Sequence, residues 1–130
     1  MGKYGLAAVN AVRAYTAGQA RNATDAWDIA VRELFPNSQS SQVKGCPRGT
    51  FLGICGSGKI VGIPSGEYTR SQKNKMYGLN ALEILRVSPS LADDESALWG
   101  RVMAGEEKVP NHQMDVVLSL WKAGLVNSKT

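Results

Sequence analysis

The chain has few of the residues from which disulfide scaffolds and metal sites are built. Its 130 residues include two cysteines, Cys46 and Cys55, and one histidine, His112. A disulfide scaffold needs more cysteines, so we expect reduced thiols and a cytoplasmic location. Three such side chains cannot complete a four-ligand zinc site without carboxylates or a second chain, so we predict neither a metal site nor a cofactor.

The chain also has no long apolar run. None approaches the roughly 20 residues that a bilayer-spanning helix needs. Lys3, Asn10 and Arg13 interrupt the first 15 residues, so this stretch lacks the continuous apolar core of a signal peptide. We therefore expect a mature cytoplasmic protein that has no membrane partner.

The composition is that of a globular domain. Hydrophobic residues make up 43% of the sequence and charged residues 20%, which gives enough apolar surface for a core and too little charge for a disordered chain. A length of 130 residues suits one domain, which we predict to cover residues 1–130.

Apolar residues recur with the 3.6-residue period of amphipathic helices in five parts of the chain. Glycine or proline follows each part and predicts where the helix ends. We expect a mainly α fold, a single compact helical bundle of five to six helices with a glycine-rich, partly extended central segment. The predicted core positions are Ala8, Val9 and Val12; Trp27, Ala30, Val31 and Leu34; Tyr77, Ala81, Ile84 and Leu85; Leu98, Trp99, Val102 and Met103; and Met114, Val117, Leu118, Trp121 and Leu125.

The last of these helices is apolar on two sides. Val116 and Leu120 lie opposite its main apolar stripe, so we expect burial on more than one face. A second copy of the chain would be one way to cover the second face. An obligate homo-oligomeric accessory protein is therefore one function that the sequence allows.

The stretch GICGSGKI, residues 53–60, has the glycines and the lysine, Lys59, of a phosphate-binding loop. Such a loop also needs a final Ser or Thr for magnesium, a helix that follows it and a parallel sheet. Ile60 occupies the hydroxyl position, Pro64 follows soon afterwards, and the chain has no convincing βαβ repeat. We therefore predict that this stretch does not bind or hydrolyse nucleotides.

Two structures fit residues 50–63. In the first, Pro47 lies in the first turn of a short helix that ends at Gly56 or Gly58, and KIVGI is extended. In the second, FLGIC and KIVGI are the strands of a hairpin, although glycines within both runs would weaken them. Helix punctuation favours the first structure, but periodicity over such short runs does not decide between the two.

Positive charge is concentrated in the middle of the chain. Residues 42–75 contain six basic side chains and one acidic, whereas residues 76–130 contain five basic and seven acidic. Cations beside glycines and helix starts form anion sites, because backbone N–H groups are exposed there. We therefore predict a binding protein without enzymatic activity, whose basic, glycine-rich centre contacts an anionic partner, either nucleic acid or an acidic protein surface. The predicted anion-binding residues are Lys44, Arg48, Lys59, Arg70, Lys73 and Lys75.

A second class of function is a small-molecule-binding protein or enzyme with a pocket near Cys46. A thiol at a helix start ionises more readily, and a cysteine enzyme also needs a base, for which His112 is the one histidine. Nothing in the sequence brings these two side chains together, so we assign no catalytic residue. The pocket would be lined by Cys46, Tyr68, Tyr77 and His112.

Three stretches, KGCPRGTFLGIC, GIPSGEYTRSQKNK and NHQMDVVLSLWKAGL, are similar to a family of small, uncharacterised bacterial proteins of about this length with no assigned activity. The resemblance covers most of the chain. It implies a stand-alone cytoplasmic bacterial domain carried on accessory or mobile DNA. It implies no catalytic residues and leaves the function open.

Overall fold

Seven α-helices and one 3-10 helix run through residues 2–127, the part of the chain that the computed structural model describes; residues 1 and 128–130 of the predicted domain lie outside it. Six of the α-helices have nine or more residues, which confirms the predicted helical bundle. Within residues 2–127, no helix has both the length and the apolar character to cross a membrane. The helices are α1 (Lys3–Thr16), α2 (Ala23–Leu34), α3 (Gln39–Gln42), α4 (Gly45–Gly56), α5 (Gln72–Val87), the 3-10 helix (Pro89–Asp93), α6 (Glu95–Met103) and α7 (Gln113–Lys122).

Helix α1 packs against both α2 and α7. Ala7, Ala8 and Ala11 on its buried face are fully inaccessible to solvent, and Val9 and Val12 are buried beside them. The distance between packed helices depends on the side chains at their contact, so the alanines let both neighbours approach closely. The predicted core face of this helix is therefore confirmed.

Aromatic side chains join α1, α2 and α4. Trp27 of α2 is fully buried, stacks on Phe51 of α4 with 5.1 Å between ring centroids, and lies 6.5 Å from the ring of Tyr4 in α1. Large aromatic rings dominate core energetics because each removes so much apolar area from water. Trp27 and Trp99 are core anchors as predicted, whereas Trp121 packs at the edge of the core and is partly exposed.

Helix α4 confirms the predicted helix in the centre of the chain, whereas KIVGI bends in a turn at Val61 and Gly62 and is not extended as predicted. Pro47 lies in the first turn of α4, where a missing N–H group costs no helical hydrogen bond. At the other end, Gly58 adopts a left-handed conformation with φ of 74°. Its N–H group donates to Cys55 O at 3.1 Å, and the N–H group of Lys59 donates to Ile54 O at 3.2 Å. This pair of bonds is the Schellman motif, which ends the helix.

Helices α4 and α5 approach each other at glycines. A Cβ atom on Gly49 would lie 2.9 Å from Ser71 Cβ, and one on Gly53 would lie 2.5 Å from Lys75 Cβ. Any side chain at these positions would overlap the start of α5. The contacts advance in the same direction along both helices. Helices α4 and α5 are therefore parallel, and both begin at the same end of the molecule.

The buried face of α5 is rotated by about one residue from the predicted stripe. Gly78 and Leu82 are buried, whereas Tyr77 and Ile84 are half-buried. The reason is the contact with α4, because Gly78 faces that helix and a Cβ atom on it would lie 2.7 Å from Ile54 Cγ2. Periodicity of apolar residues does not count a glycine as a core position, so it misses this face.

Parallel helices require a connection that returns along their length, and residues 57–71 provide it. We call these residues the return segment. The N–H group of Gly66 donates to Gly56 O at 3.0 Å, which holds the segment against the end of α4. Near its start, the N–H group of Val61 donates to Leu125 O at 2.9 Å, beside an isolated antiparallel bridge between Ile60 and Val126.

Helix α7 is buried almost all round. Every residue from 113 to 120 is buried, including Val116 and Leu120 on the second apolar side. This confirms the predicted burial on more than one face. The second face is covered within the one chain, so the feature that suggested a homo-oligomer has an explanation inside the monomer.

A buried carboxylate on α7 caps the start of α1. Asp115 Oδ1 accepts a hydrogen bond from the N–H group of Gly2 at 2.9 Å, and its Oδ2 accepts one from the N–H group of Gly5 at 2.7 Å. These are two of the N–H groups that a helix start leaves without an internal partner. The negative charge of the carboxylate also interacts favourably with the positive end of the dipole of α1. A side chain at Gly5 would overlap Ser119 Oγ, so the hydrogen bonds to Asp115 require glycine at this position.

Replacing Asp115 by asparagine should lower stability markedly. Asparagine keeps the size, but its NH2 group would face one of the two backbone N–H groups and leave that donor without an acceptor. We expect a loss of about 1.5–3 kcal/mol in the free energy of unfolding, measured by urea denaturation. In the control Asp93→Asn, a carboxylate that is 89% exposed is lost, and the change should stay below about 0.5 kcal/mol. Equal losses of stability in the two variants would contradict a stabilising role of the hydrogen bonds that Asp115 accepts from Gly2 and Gly5.

The close contact of α4 and α5 gives a second prediction. Gly53→Ala should cost about 1–3 kcal/mol of stability, because the added methyl group meets the Lys75 backbone at 2.7 Å. Gly100→Ala in α6 is the matched control, since a Cβ atom there has nothing within 4 Å. That variant should be neutral or gain up to about 1 kcal/mol. A Gly53→Ala protein with unchanged thermal stability would show that the helices are not in backbone contact.

Candidate functional site

A groove of about 1300 Å³ lies along one side of α4. Its floor is α4, one wall is formed by α2 and α3, and the other wall is formed by the return segment and the start of α5. We call it the cationic groove, for the basic side chains described below. Pockets for drug-sized molecules measure about 300–1,000 Å³, so this groove has room for part of a larger molecule.

The floor of the cationic groove is largely backbone. Gly45, Gly49, Gly53 and Gly56 line it at helical spacings of four, four and three residues, so they share one face of α4. Two of them, Gly49 and Gly53, also let α5 approach from the side. The second wall therefore lies directly on Gly49, Gly53 and Gly56, and of the four floor glycines only Gly45 has open space where a Cβ atom would be.

The return segment curls where it forms the second wall. The hydroxyl group of Tyr68 donates to Pro64 O at 2.6 Å, and a Cβ atom on Gly66 would lie 3.2 Å from the Tyr68 ring. The tip of this half-buried ring therefore lies close to the main chain at Gly66. The side chain of Tyr68 therefore stabilises the curled conformation of the wall and offers little open ring surface to a ligand.

Four basic side chains from four different parts of the fold line the cationic groove. Arg32 comes from α2, Arg48 from α4, Arg70 from the return segment and Lys75 from α5. Such convergence gives a positive surface that no single element carries.

Two carboxylates also line the groove, and one of them is paired. Asp28 Oδ1 lies 3.8 Å from Arg48 Nε, and both side chains are about one third exposed. This pair links α2 to α4 across the floor. The other carboxylate belongs to Glu67 of the return segment.

Three of the four cations have no carboxylate in the described part of the chain that is close enough to form an ion pair. Among residues 2–127, Arg32, Arg70 and Lys75 have no carboxylate oxygen within 4.0 Å. Ion pairs with charged groups are among the strong polar contacts of proteins when both partners are present. These three side chains can therefore pair with an anion that enters the groove.

A chain of polar side chains orders the wall at the start of α5. Ser71 Oγ accepts from Asn74 Nδ2 at 2.9 Å, and Asn74 Oδ1 accepts from Gln113 Nε2 at 3.3 Å. Gln113 is fully buried, and its Oε1 accepts from the N–H group of Asn111. Thr69 Oγ1 accepts from the N–H group of Ser71 at 3.1 Å. The hydroxyl oxygens of Thr69 and Ser71 thus accept already, which leaves both O–H groups to donate to a ligand.

The structure brings half of the predicted anion-binding residues together. Arg48, Arg70 and Lys75 line the cationic groove. Lys44 directly precedes α4, Lys73 is exposed in the first turn of α5 outside the groove, and Lys59 lines a separate pocket of about 200 Å³ beside Trp121. The block of basic residues in the sequence is therefore divided between several surfaces.

The four residues of the predicted pocket have separate neighbours. Tyr68 borders the cationic groove. Tyr77 packs edge-on against Trp99 with 5.4 Å between ring centroids. His112 adopts a left-handed backbone conformation with φ of 67° and lies 4.8 Å from the ring of Tyr4.

The two cysteines lie in the first and last turns of α4. Cys46 is half-buried, and its carbonyl oxygen accepts from Thr50 Oγ1 at 2.9 Å. Cys55 is fully buried, and this burial raises the pKa of its thiol. Within residues 2–127, no three His, Cys, Asp or Glu side chains lie close enough together to share a metal ion.

The stretch that reads like a phosphate-binding loop covers the end of a helix and not its start. The N–H groups of Ser57, Gly58 and Lys59 all donate to carbonyl oxygens of the last turns of α4. A phosphate-binding loop needs these donors to point at the phosphate and a helix to begin after them. Here the nearby helix end carries the negative side of the dipole, which disfavours an anion.

Sequence reasoning missed two residues that shape the groove. Arg32 lies outside the basic block, and nothing in the sequence shows that its face of α2 borders α4. Gln113 is a polar residue with no local sign of burial, and its side chain is buried against Asn74 of a distant helix. The one local signal was the spacing of Asp28 and Arg32, which places both on the same side of α2.

The fold and the groove define an all-α protein with a cationic groove beside parallel helices. Comparison with protein families makes the relationship specific: the chain belongs to a family of unknown function, DUF6979, whose family model matches residues 1–127. The predicted resemblance to an uncharacterised family is thereby confirmed. Comparison with curated proteins and with solved structures finds no match.

The different burial of the cysteines gives a labelling prediction. A thiol reagent such as Ellman's reagent should modify Cys46 in the native protein and leave Cys55 unmodified until the chain unfolds, because only the buried thiol is shielded. The count of reacted thiols should rise from one to two in denaturant. A Cys46→Ala variant should show no native reaction. Prompt reaction of that variant would mean that Cys55 is reached from solvent.

Proposed function

We propose that this protein is a non-enzymatic binding protein that holds an anionic partner in the cationic groove. The observation that carries the proposal is the convergence of Arg32, Arg48, Arg70 and Lys75 from four elements onto one groove of about 1300 Å³. Three of these cations have no carboxylate within 4.0 Å among the described residues, so their charge is available to a partner.

The donors of the groove match the oxygens of carboxylates and phosphates. A guanidinium group presents its N–H groups as a planar fork that fits such oxygens in pairs, and Arg32 and Arg70 both supply one. The O–H groups of Thr69 and Ser71 add neutral donors between the charged ones. The groove, with a volume of about 1300 Å³, leaves space for the main chain of a polymeric partner.

The lining favours binding over catalysis. It contains neither of the cysteines nor His112, and the carboxylate of Asp28 is paired with Arg48. Among the described residues, Glu67 is the one lining carboxylate left without a cation, so neither an imidazole nor a pair of free carboxylates faces the groove. Acid–base catalysis needs a titratable group within hydrogen-bond reach of the substrate and with a suitable pKa. The two free thiols support a reducing compartment, so we propose the cytoplasm as the location.

Charge reversal in the groove tests the proposal. The variant Arg32→Glu/Arg70→Glu and the control Arg13→Glu/Arg101→Glu carry the same change in net charge, and both control residues are exposed outside the groove. Labelled polyglutamate, single-stranded DNA and duplex DNA are titrated at low and at physiological salt, with fluorescence anisotropy as the readout.

We expect at least one of these polyanions to bind the wild-type protein. The groove variant should bind it about tenfold more weakly or worse, since each lost charge-assisted contact is worth about 1.5–3 kcal/mol. The control should stay within about twofold of the wild type after correction for salt. Equal losses in both variants would mean that the partner responds to net charge alone, and no binding at low salt would overturn the proposal.

A further inference from the structure

The cationic groove is not uniformly positive. Asp28 and Glu67 lie among its four cations, and Glu67 has no cation within 4.0 Å among the described residues. A nucleic acid would bring a phosphate charge at every nucleotide and would meet these carboxylates with repulsion. A partner with well-separated acidic groups avoids that cost.

The groove also lacks a surface on which bases could stack. Among the described residues, Tyr68 is the one aromatic residue of the lining; it is half-buried, the tip of its ring lies close to Gly66, and its hydroxyl group is bonded to Pro64 O. Trp27 and Trp99 are buried in the core. Proteins that bind single strands without sequence preference use exposed aromatic rings for this purpose. This groove offers charge without stacking.

The groove itself carries few cations for a nucleic-acid track. Lys59 lies at another pocket, and neither Lys44 nor Lys73 lines the groove. The strength of nucleic-acid binding rises with the number of phosphates neutralised, and three uncompensated cations supply few. A short partner with few charges makes better use of this site.

The remaining lining matches the chemistry of a peptide. Gln39, Gln42 and Gln72 line the groove with amide groups that both donate and accept, as the peptide main chain does. Gln42 Nε2 already donates to Phe35 O at 2.7 Å, which leaves its Oε1 to accept. A phosphodiester backbone has no N–H group to offer such an acceptor.

One apolar side chain stands open in the lining. Val43 follows α3, lines the groove and is 65% exposed, although a valine gains by leaving water. A peptide side chain could cover it. An acidic segment that also carries an apolar residue would therefore satisfy the whole lining.

Resting on the proposed function, we propose that the anionic partner is an extended acidic segment of a protein, with its carboxylates on Arg32, Arg70 and Lys75 and an apolar side chain on Val43. The volume of the groove admits the main chain of the segment, and the N–H groups of the segment meet the amide and carboxylate oxygens of the walls.

The test compares two labelled probes of matched length and charge at physiological salt, a peptide of alternating glutamate and valine and an oligonucleotide of thymidines. A peptide with glutamine in place of glutamate is the neutral control. We expect the acidic peptide to bind at least about tenfold more tightly than the oligonucleotide and than the neutral peptide. Both Arg32→Glu/Arg70→Glu and Val43→Asp should weaken it, and Arg13→Glu/Arg101→Glu should not.

The outcomes separate this inference from the proposed function. If the oligonucleotide binds as tightly as the peptide or more tightly, and the groove variant weakens it, the groove binds anions but the peptide proposal is overturned. If the peptide binds and the groove variant leaves it unchanged, the site lies elsewhere and both proposals fail. If neither probe binds, the peptide proposal is overturned, and the titration of polyglutamate and DNA at low salt then decides the proposed function. Circular dichroism of each variant shows that it is folded before it is compared.

Discussion

Helices α4 and α5 are in backbone contact, and the position of the groove follows from that contact. Gly49 and Gly53 let the start of α5 lie directly on α4, and the order of the contacts makes the two helices parallel. Parallel helices need a return connection, and that connection becomes one wall of the groove and carries Arg70. The same contact puts Lys75 beside the floor. A side chain at either glycine would separate the helices and with them the cations.

The first turn of α7 supports two other helix starts from within the core. Gln113 reaches Asn74 and so orders the start of α5, while Asp115 holds the N–H groups of Gly2 and Gly5 at the start of α1. Both side chains are buried, and buried polar groups stabilise a fold only when their hydrogen bonds are made. The polar interior of this protein therefore serves to place helix ends, and one of these ends borders the groove.

Much of the fold could be predicted from the sequence, because helices depend on local patterns. Apolar spacing and terminal glycines or prolines identified the long helices, and Pro47 with Gly58 favoured a helix where a hairpin was the alternative. The site could be predicted only in part. Arg70 was identified by its place in the basic block, whereas Arg32 joins the groove through the packing of α2 on α4. Lys59 belongs to the same block by sequence and lies at another pocket, because α4 ends before it. Local periodicity predicts the helices but does not show which distant helices contact each other.

The most direct test of the cationic groove as the binding site is to observe which residues an anionic peptide contacts. A proton–nitrogen correlation NMR spectrum, recorded while the acidic peptide is added, reports every backbone amide separately. Binding in the cationic groove predicts shifts at the floor glycines Gly45, Gly49 and Gly53 and along residues 66–72, with little change around Lys59 and Trp121. Shifts that cluster around Lys59 and Trp121, or that spread evenly over the basic residues, would contradict binding in the cationic groove.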